Sequence, residues 1–252
     1  MDINSGFCLK GRKAMVTGSG QGLGKAFALA LAGAGADVSI VDINMEKAQL
    51  TASEIGLTGA KAVAIKADIS DPGESRKAVE ETIRSLGRLD IAVNNAGVSP
   101  PIKDSVDITA ETWDKTMGVN LRGLFFCAQA EAKAMMPNKY GKIINIASIC
   151  GHIVWPKFQA VYSISKAGVI HLTRCLAVEW APHGIRVNSI SPGVTMTPDL
   201  FPDVPPVFLR KAPLGKTANV RDIAGAVLYL SSPESDFMVG QDLVLDGGYT
   251  LL

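Results

Sequence analysis

Short runs of β-branched and apolar residues, each followed by a longer stretch with helical spacing, recur from one end of the chain to the other. A strand buried on both faces reads as a continuous apolar run, and parallel strands need a crossover between them. The alternation therefore predicts an α/β fold, a doubly wound parallel sheet with helices on both faces. Strands are expected over Lys13–Thr17, Val38–Asp42, Ala62–Ala67, Leu89–Asn94, Lys142–Ala147, Ile185–Ile190 and Asp242–Asp246. Helices are expected over Gly22–Ala34, from Asn44 onward, from Asp71-Pro72 to Leu86, and over Ala110–Met136, Gln159–Trp180 and Arg221–Leu230. Asn44 and Asp71 suit N-cap positions, Pro72 suits a first helical position, and Pro137 stops a helix. The proline-rich stretch Pro192–Pro213 is expected to be a loop or lid with short helices. No repeat, low-complexity tract or linker interrupts the series, which predicts one domain over residues 1–252.

The bulk properties exclude several classes. A chain of 252 residues with 47% hydrophobic content can bury a sizeable core. A formal net charge of +1 gives no electrostatic case for nucleic acid or an acidic membrane surface. The longest apolar runs, such as Ala26–Ala36, are too short to span a bilayer. Met1–Gly6 lacks the basic-then-apolar pattern of a secretory signal. Cys8, Cys127, Cys150 and Cys175 lie far apart without C-x-x-C or His/Cys clustering. Reduced thiols, a cytoplasmic location and no metal site are the expectation.

The turn after the first strand, Thr17-Gly18-Ser19-Gly20-Gln21-Gly22-Leu23-Gly24, carries the first chemistry. Glycines at 18, 22 and 24 let backbone amides approach a pyrophosphate, and the helix N-terminus that follows favours an anion. The spacing is Gly-x-x-x-Gly-x-Gly, not the G-x-G-x-x-G of the ordinary dinucleotide fingerprint, so a plain tight turn is the competing reading. Asp42 closes the second strand where a carboxylate can accept hydrogen bonds from the adenosine ribose hydroxyls, or can simply be a strand-end turn residue. Its charge repels a 2′-phosphate, and neither Ser19 nor Gln21 brings a compensating cation, although Lys25 is nearby. NAD is therefore expected over NADP. Gly18, Gln21, Gly22, Leu23, Gly24, Asp42 and Ile43 make up this part of the expected cofactor site.

Tyr162 and Lys166 carry the second. Four residues apart on a helix, they share one face. A cation beside a phenol favours the phenolate, which turns a Tyr into a proton shuttle near neutral pH. A free Tyr titrates near about 10, so a value near 7 corresponds to about 4 kcal/mol in favour of the phenolate, with a charged Lys166 and the positive nicotinamide ring together as the expected source. Ser148, just past the fifth strand, can hydrogen-bond a substrate oxygen and stabilise developing negative charge. Asn120 lies in a predicted helix although Asn is a poor helix former. A nucleotide site with a Tyr/Lys/Ser set points to hydride transfer.

In this order and spacing, the Thr17–Gly24 loop, Asp68-Ile69, Asn94-Asn95-Ala96-Gly97, Asn120, Ser148, Tyr162 with Lys166 and Pro192-Gly193 resemble the short-chain dehydrogenase/reductase family over nearly the whole chain. The resemblance implies a Rossmann-like sheet of seven parallel strands, a small-molecule substrate and a homotetramer. It implies a cofactor-binding half over about 10–148 and a catalytic and substrate-binding half over about 148–252. By the same resemblance Asp68 and Ile69 flank the adenine, and Asn95, Ala96 and Gly97 line the cofactor cleft. Asn94 pins neighbouring strands. Beyond Pro192 and Gly193, Val194 and Thr195 hold the nicotinamide carboxamide, with Thr197 near the phosphates. Lys166 also bonds the nicotinamide ribose. Asn120 breaks its helix and holds a water that links Lys166 to solvent.

Between Ser148 and Tyr162, the residues expected to meet substrate are Cys150, His152, Trp155 and Gln159. His152 and Gln159 can bond several hydroxyls, and Trp155 can stack on or cap a small ligand. A solvent-facing His152, and a Trp155 that serves as lid or subunit contact, are the open alternatives. Gly151-His152-Ile153, Gln159-Ala160-x-Tyr162 and Leu176–Trp180 are similar to sugar-alcohol and ketose members of the family. An NAD-dependent polyol dehydrogenase is thus the leading expectation. A 3-oxoacyl-carrier-protein reductase, a hydroxysteroid-type dehydrogenase or a silent NAD-binding regulator are the alternatives. The C-terminal Leu251-Leu252 is expected to pack against another subunit.

Overall fold

Seven strands, buried except at the two edges, set the architecture: β1 (Lys13–Thr17), β2 (Asp37–Asp42), β3 (Ala62–Lys66), β4 (Ile91–Asn94), β5 (Gly141–Ile146), β6 (Ile185–Pro192) and β9 (Asp242–Leu245), with the short pair β7 (Thr195–Met196) and β8 (Ala218–Asn219) standing apart. The computed structural model describes residues 7–155, 159–197 and 206–252. The seven strands form one parallel sheet in the order β3-β2-β1-β4-β5-β6-β9. β4 is buried at every position, as is β5 even at Lys142. That charge is tolerated because its ammonium donates to Ser235 Oγ at 2.9 Å and pairs with Asp236 at 2.7 Å.

The helices are α1 (Gly22–Gly33), α2 (Met45–Gly56), α3 (Pro72–Leu86), α4 (Ala110–Met117), α5 (Leu124–Met135), α6 (Ala160–Trp180), α7 (Pro206–Lys211) and α8 (Val220–Ser231). One apolar layer packs α1 and α8 on the sheet through residues such as Phe27, Leu31 and Val227. The other packs α3, α5 and α6 through Val79, Ala128 and Leu176. The result is a Rossmann-like α/β domain covered on both faces, as the alternation of runs implied.

Local signals account for several boundaries. Asn44 accepts from Lys47 N, and Asp71 accepts from Gly73 N and Glu74 N with Pro72 behind it. Gly87 ends α3 in the left-handed region at φ 94°. Two strand boundaries shift by more than one residue. The fourth strand begins at Ile91 rather than Leu89. The sixth extends to Pro192, where β9 continues its pairing. The long helix expected over Ala110–Met136 breaks at a π-helical turn, Gly118–Gly123, that contains Asn120, as the resemblance implied. Within the expected loop, β7 and α7 are observed, and residues 198–205 lie outside those described.

The strand order reverses beside β1, between β2 on one side and β4 on the other. There the connections leave in opposite directions, and a crevice opens at the carboxyl ends of the strands.

Candidate active site

A cavity of about 920 Å³ occupies this crevice. Its floor is the turn after β1, and backbone packing explains the glycines. Gly18 has φ +62°, and a Cβ there would stand 2.8 Å from Ala96 Cα. A Cβ on Gly24 would stand 2.1 Å from Gly18 O and 2.5 Å from Asn95 Nδ2. Asn95 locks the two turns together by donating to Thr17 O and Gly18 O, each at 3.0 Å. Thr17 Oγ1 in turn accepts from Asn95 N and Ala96 N.

Asp42 sits at the rim. Its carboxylate accepts from Gly20 N at 2.8 Å and Asn44 N at 2.9 Å, which aims it along the cleft. Gln21, Leu23 and Ile43 line the same end, with Asp68 and Ile69 opposite. Lys25, the cation noted near the turn, pairs with Glu54 at 2.7 Å. A different lysine, Lys47, reaches the turn and donates to Gln21 Oε1. The spacing from Gln21 to Lys47 hid it.

At the other end Ser148, Tyr162 and Lys166 converge. Ser148 caps the short turn Ile149–Gly151 and accepts from Cys150 N at 3.2 Å. Lys166 is buried, with Nζ 5.7 Å from the Tyr162 ring centroid and donating to Ile146 O at 2.8 Å. Asn120 lies behind the wall rather than on it. Its side chain accepts from Val98 N at 2.8 Å and donates to Val98 O at 2.9 Å and Ser165 Oγ at 3.2 Å. These bonds tie the π-turn to the segment after β4, and a π-turn at a functional site is a recurrent arrangement.

The protein's own groups do not by themselves lower the phenol; the positive nicotinamide ring, the other expected source, is not among them. Burial pushes Tyr162 up to about 12, and its contact with Ser148 offsets only part of this. Burial likewise pulls Lys166 down to about 8. Desolvation leads for both groups, and the ammonium is directed at Ile146 O and not at the phenol.

Pro192, Gly193, Val194, Thr195 and Thr197 line the remaining wall. Among the described residues, Thr197 Oγ1 is buried without a hydrogen-bond partner. Asn95, Ala96 and Gly97 face them from the turn after β4, and a Cβ on Gly97 would stand 3.6 Å from Lys166 Nζ. Cys150, Trp155 and Gln159 line the catalytic end, but His152 does not. Its ring turns to the last strand, where Nε2 meets Asp242 Oδ2 at 2.6 Å. The pairing is 90 residues apart in sequence, so the segment 148–159 gave no sign of it. Gly22 stands at the helix start with φ +57° and does not line the cavity. Trp155 is backed by Tyr249, whose ring stacks on it at 5.4 Å and on Phe208 at 4.9 Å.

The residues fit a nicotinamide dinucleotide. The glycine cradle, the rim carboxylate and the unpartnered Thr197 hydroxyl occur along a single cleft. Ser99, Ile102, Lys115 and Arg122 also line it, and sequence patterning missed them. The first two merely follow the Asn94–Gly97 motif, while Lys115 and Arg122 face the cleft only through the turn of α4 and the π-turn.

A family model described as "Enoyl-(Acyl carrier protein) reductase" matches residues 18–250. Sorbose reductase of Candida albicans is 39% identical over 251 residues, 97% of this chain and 89% of that protein. Galactitol 2-dehydrogenase (L-tagatose-forming) of Cereibacter sphaeroides is 35% identical over the full length of both. Among solved structures, a short-chain type dehydrogenase/reductase from Mycobacterium marinum superposes with a TM-score of 0.94 at 40% identity over 98% of each chain. A 7α-hydroxysteroid dehydrogenase with NADH and 7-oxo glycochenodeoxycholic acid gives 0.93 at 33%, again over 98% of each. A gluconate 5-dehydrogenase from Burkholderia cenocepacia with NADP and tartrate gives 0.92 at 36% and the same coverage.

Proposed function

The chain belongs to the short-chain dehydrogenase/reductase family, and on that premise we propose that it is an NAD-linked polyol dehydrogenase interconverting a secondary alcohol and a ketone on a sugar alcohol or ketose. The observation that carries the reaction type is the convergence of Ser148, Tyr162 and Lys166 at one end of the cleft whose other end is the glycine cradle and Asp42. Oxidoreductase chemistry on alcohols follows from the family. The substrate and the cofactor preference are our reading.

Gly18, Gly24, Asn95 and Ala96 would seat the pyrophosphate and Asp42 the adenosine ribose, with Val194, Thr195 and Thr197 near the nicotinamide and phosphates. The bound dinucleotide supplies the hydride donor or acceptor. Tyr162, its phenol kept protonated by burial, would donate that proton to the ketone oxygen in reduction; in oxidation it would accept the hydroxyl proton as the phenolate, after first releasing its own proton to solvent. Ser148 Oγ gives the same oxygen a second hydrogen bond. Lys166 contributes the chain's own positive charge beside the reacting groups and orients the nicotinamide ribose. Asn120 acts through Val98 and Ser165, holding the wall behind Tyr162 and Lys166 in place.

NAD is favoured by the Asp42 carboxylate, a negative charge where a 2′-phosphate would lie. Polyols are favoured by the sorbose and galactitol relatives and by Gln159 at the catalytic end. The apolar lining there, with Ile149, Trp155 and Val194, favours a second reading, a cyclic or steroid secondary alcohol. A spectrophotometric screen with NAD or NADP against sugar alcohols, ketoses, 3-oxoacyl thioesters and steroids separates these. Turnover confined to thioesters or steroids sinks the polyol reading and keeps the dehydrogenase.

Residues of about 10–148 are the cofactor-binding half in this reading, and about 148–252 the catalytic half. A homotetramer acting in the cytoplasm belongs to the same reading, and light scattering that finds a monomer refutes the tetramer. Leu251 and Leu252 are exposed in the single chain, available for such burial. Among the described residues, no helix is long and apolar enough to cross a membrane.

A further inference from the structure

Beneath the active site lies a buried polar cluster for which the reaction has no direct use. Glu131 on α5 is fully buried. Its carboxyl accepts from Asn94 Nδ2 at 3.0 Å through Oε2 and from the Cys127 thiol at 3.3 Å through Oε1. Asn94 also donates to Asn145 Oδ1 at 3.1 Å, and Asn145 donates to Thr173 Oγ1 at 2.9 Å. Thr173 closes the chain on Val169 O at 2.8 Å. The path therefore crosses from α5 through β4 and β5 to α6.

Each link stands next to a functional group. Asn94 precedes Asn95, whose amide holds the glycine turn. Asn145 is the register partner of Asn94 and precedes Ile146, whose carbonyl seats Lys166. Thr173 lies two turns beyond Lys166 on the same face of α6. The cluster thus joins the helix that carries Tyr162 and Lys166 to the two strand ends that shape the cleft.

The protonation state of Glu131 decides how well this works. An ionised carboxylate is acceptor-only, and among the described residues no cationic side chain pairs with it. What faces it is Cys127 from its own helix and the neutral Asn94 from β4. From α3 and α6 the same layer presents Ala78, Val79, Leu176 and Ala177. Burial pushes the carboxyl up to about 7, against smaller opposing effects of Asn94 and Cys127. The neutral acid fits these contacts: its carbonyl oxygen keeps the Asn94 Nδ2 donor, and its O–H turns to Cys127 Sγ, whereas a buried carboxylate would have only these two neutral donors to balance a full charge.

We propose that Glu131 is a positioning residue of the catalytic cleft, acting as a neutral carboxylic acid that clamps the ends of β4 and β5 through Asn94. The clamp's role in shaping the cleft rests on the dehydrogenase reading; its chemistry does not.

The sign of the linkage is fixed by the direction of the shift. The folded value lies above the ordinary value of 4.5, so the folded state holds a proton that the unfolded chain has released. Stability from this group is greatest below about 4.5 and is lost as pH rises to about 7, with no further loss above. The test is urea unfolding of the full chain at pH 5, 6, 7 and 8 for wild type and Glu131→Gln, which keeps an uncharged partner for Asn94. The folding constant of wild type relative to Glu131→Gln is expected to fall roughly tenfold per pH unit between pH 5 and 7, then level off. NADH titration at pH 6.5 accompanies it. Glu131→Leu, which removes the clamp, is expected to bind NADH at least fivefold more weakly than wild type, and Glu131→Gln to restore most of that loss. If Glu131→Leu does not fold, Glu131→Asp, which withdraws the carboxyl by one methylene, is the substitute, and weakened NADH binding is again expected. Parallel pH profiles for wild type and Glu131→Gln overturn the neutral-acid clamp. Unchanged NADH affinity in Glu131→Leu, or in its substitute, overturns its link to the cleft. A wild type that binds no NADH sinks the dehydrogenase reading instead, and the unfolding profiles still decide the clamp.

Discussion

Gly24→Ala tests whether the glycine turn is a packing requirement or a loose feature of a helix start. Gly24 is the third residue of α1, and in an open helix Gly→Ala stabilises by about 1 kcal/mol. Here the new Cβ meets Gly18 O at 2.1 Å and Asn95 Nδ2 at 2.5 Å. Neither neighbour is a flexible side-chain end with room to swing, because Asn95 is held on Thr17 O and Gly18 O. Reaching ordinary contact requires the Gly18 carbonyl to move by more than about 1 Å, and such overpacking costs about 1–3 kcal/mol. The shift also strains the two Asn95 hydrogen bonds, worth about 0.5–1.5 kcal/mol each. Against the helix gain, the net is a destabilisation of about 1–5 kcal/mol, and at about 3 kcal/mol a chain of this size loses about 6–12 °C in Tm. Gly33→Ala is the control. It lies in the same helix, and a Cβ there meets nothing within 4 Å. It is expected to be neutral or to raise Tm by about 2–4 °C. Thermal unfolding of both variants with an NADH titration is the assay. A Gly24→Ala protein as stable as Gly33→Ala, binding NADH like wild type, would refute the close-packed turn.

Further outcomes follow from the same geometry. Tyr162→Phe removes the transferable proton and leaves the ring, so turnover is expected to fall about 10²–10⁴-fold while NADH affinity holds within a few fold by fluorescence titration. Asp42→Ala removes the rim charge and frees Gly20 N and Asn44 N, while Lys47 stays beside Gln21. The ratio of NADP to NAD affinity is expected to rise about tenfold, the equivalent of about 1.4 kcal/mol. An unchanged ratio removes Asp42 from the ribose site. His152→Ala is expected to leave substrate KM within about twofold, because the ring pairs with Asp242, whereas Gln159→Ala, at the catalytic end, raises it; the reverse pattern returns His152 to the substrate.

Much of this was open to reading from one dimension. Asn44, Asp71-Pro72 and Gly87 act within a few residues of themselves, so their caps appear where the local pattern places them. The parallel sheet follows from apolar runs too continuous for a half-exposed strand. Tyr162 and Lys166 share a helix face by spacing alone. The boundaries that spacing did not place have one source. Leu89 is as apolar as the strand it precedes, and only the pairing with β1 and β5 starts β4 at Ile91. The interruption of the long helix over Gly118–Gly123 depends on Asn120 finding Val98, 22 residues away.

What the amino-acid order determined by itself was the alternation, the capped helix starts and the shared helix face of Tyr162 and Lys166, all products of short-range spacing and hydrogen bonding. What only the tertiary structure decided were facing and solvation. His152 left the substrate for Asp242 because β9 comes to lie beside β6. Lys47 reached Gln21 because α2 packs against the glycine turn. The Glu131 carboxyl is buried on Asn94 because α5 turns that face to the sheet. Tyr162 and Lys166 sit where spacing placed them, but burial pushes the phenol up and the ammonium down, which spacing does not show. Desolvation depends on everything packed around a group, and no local stretch of sequence contains it.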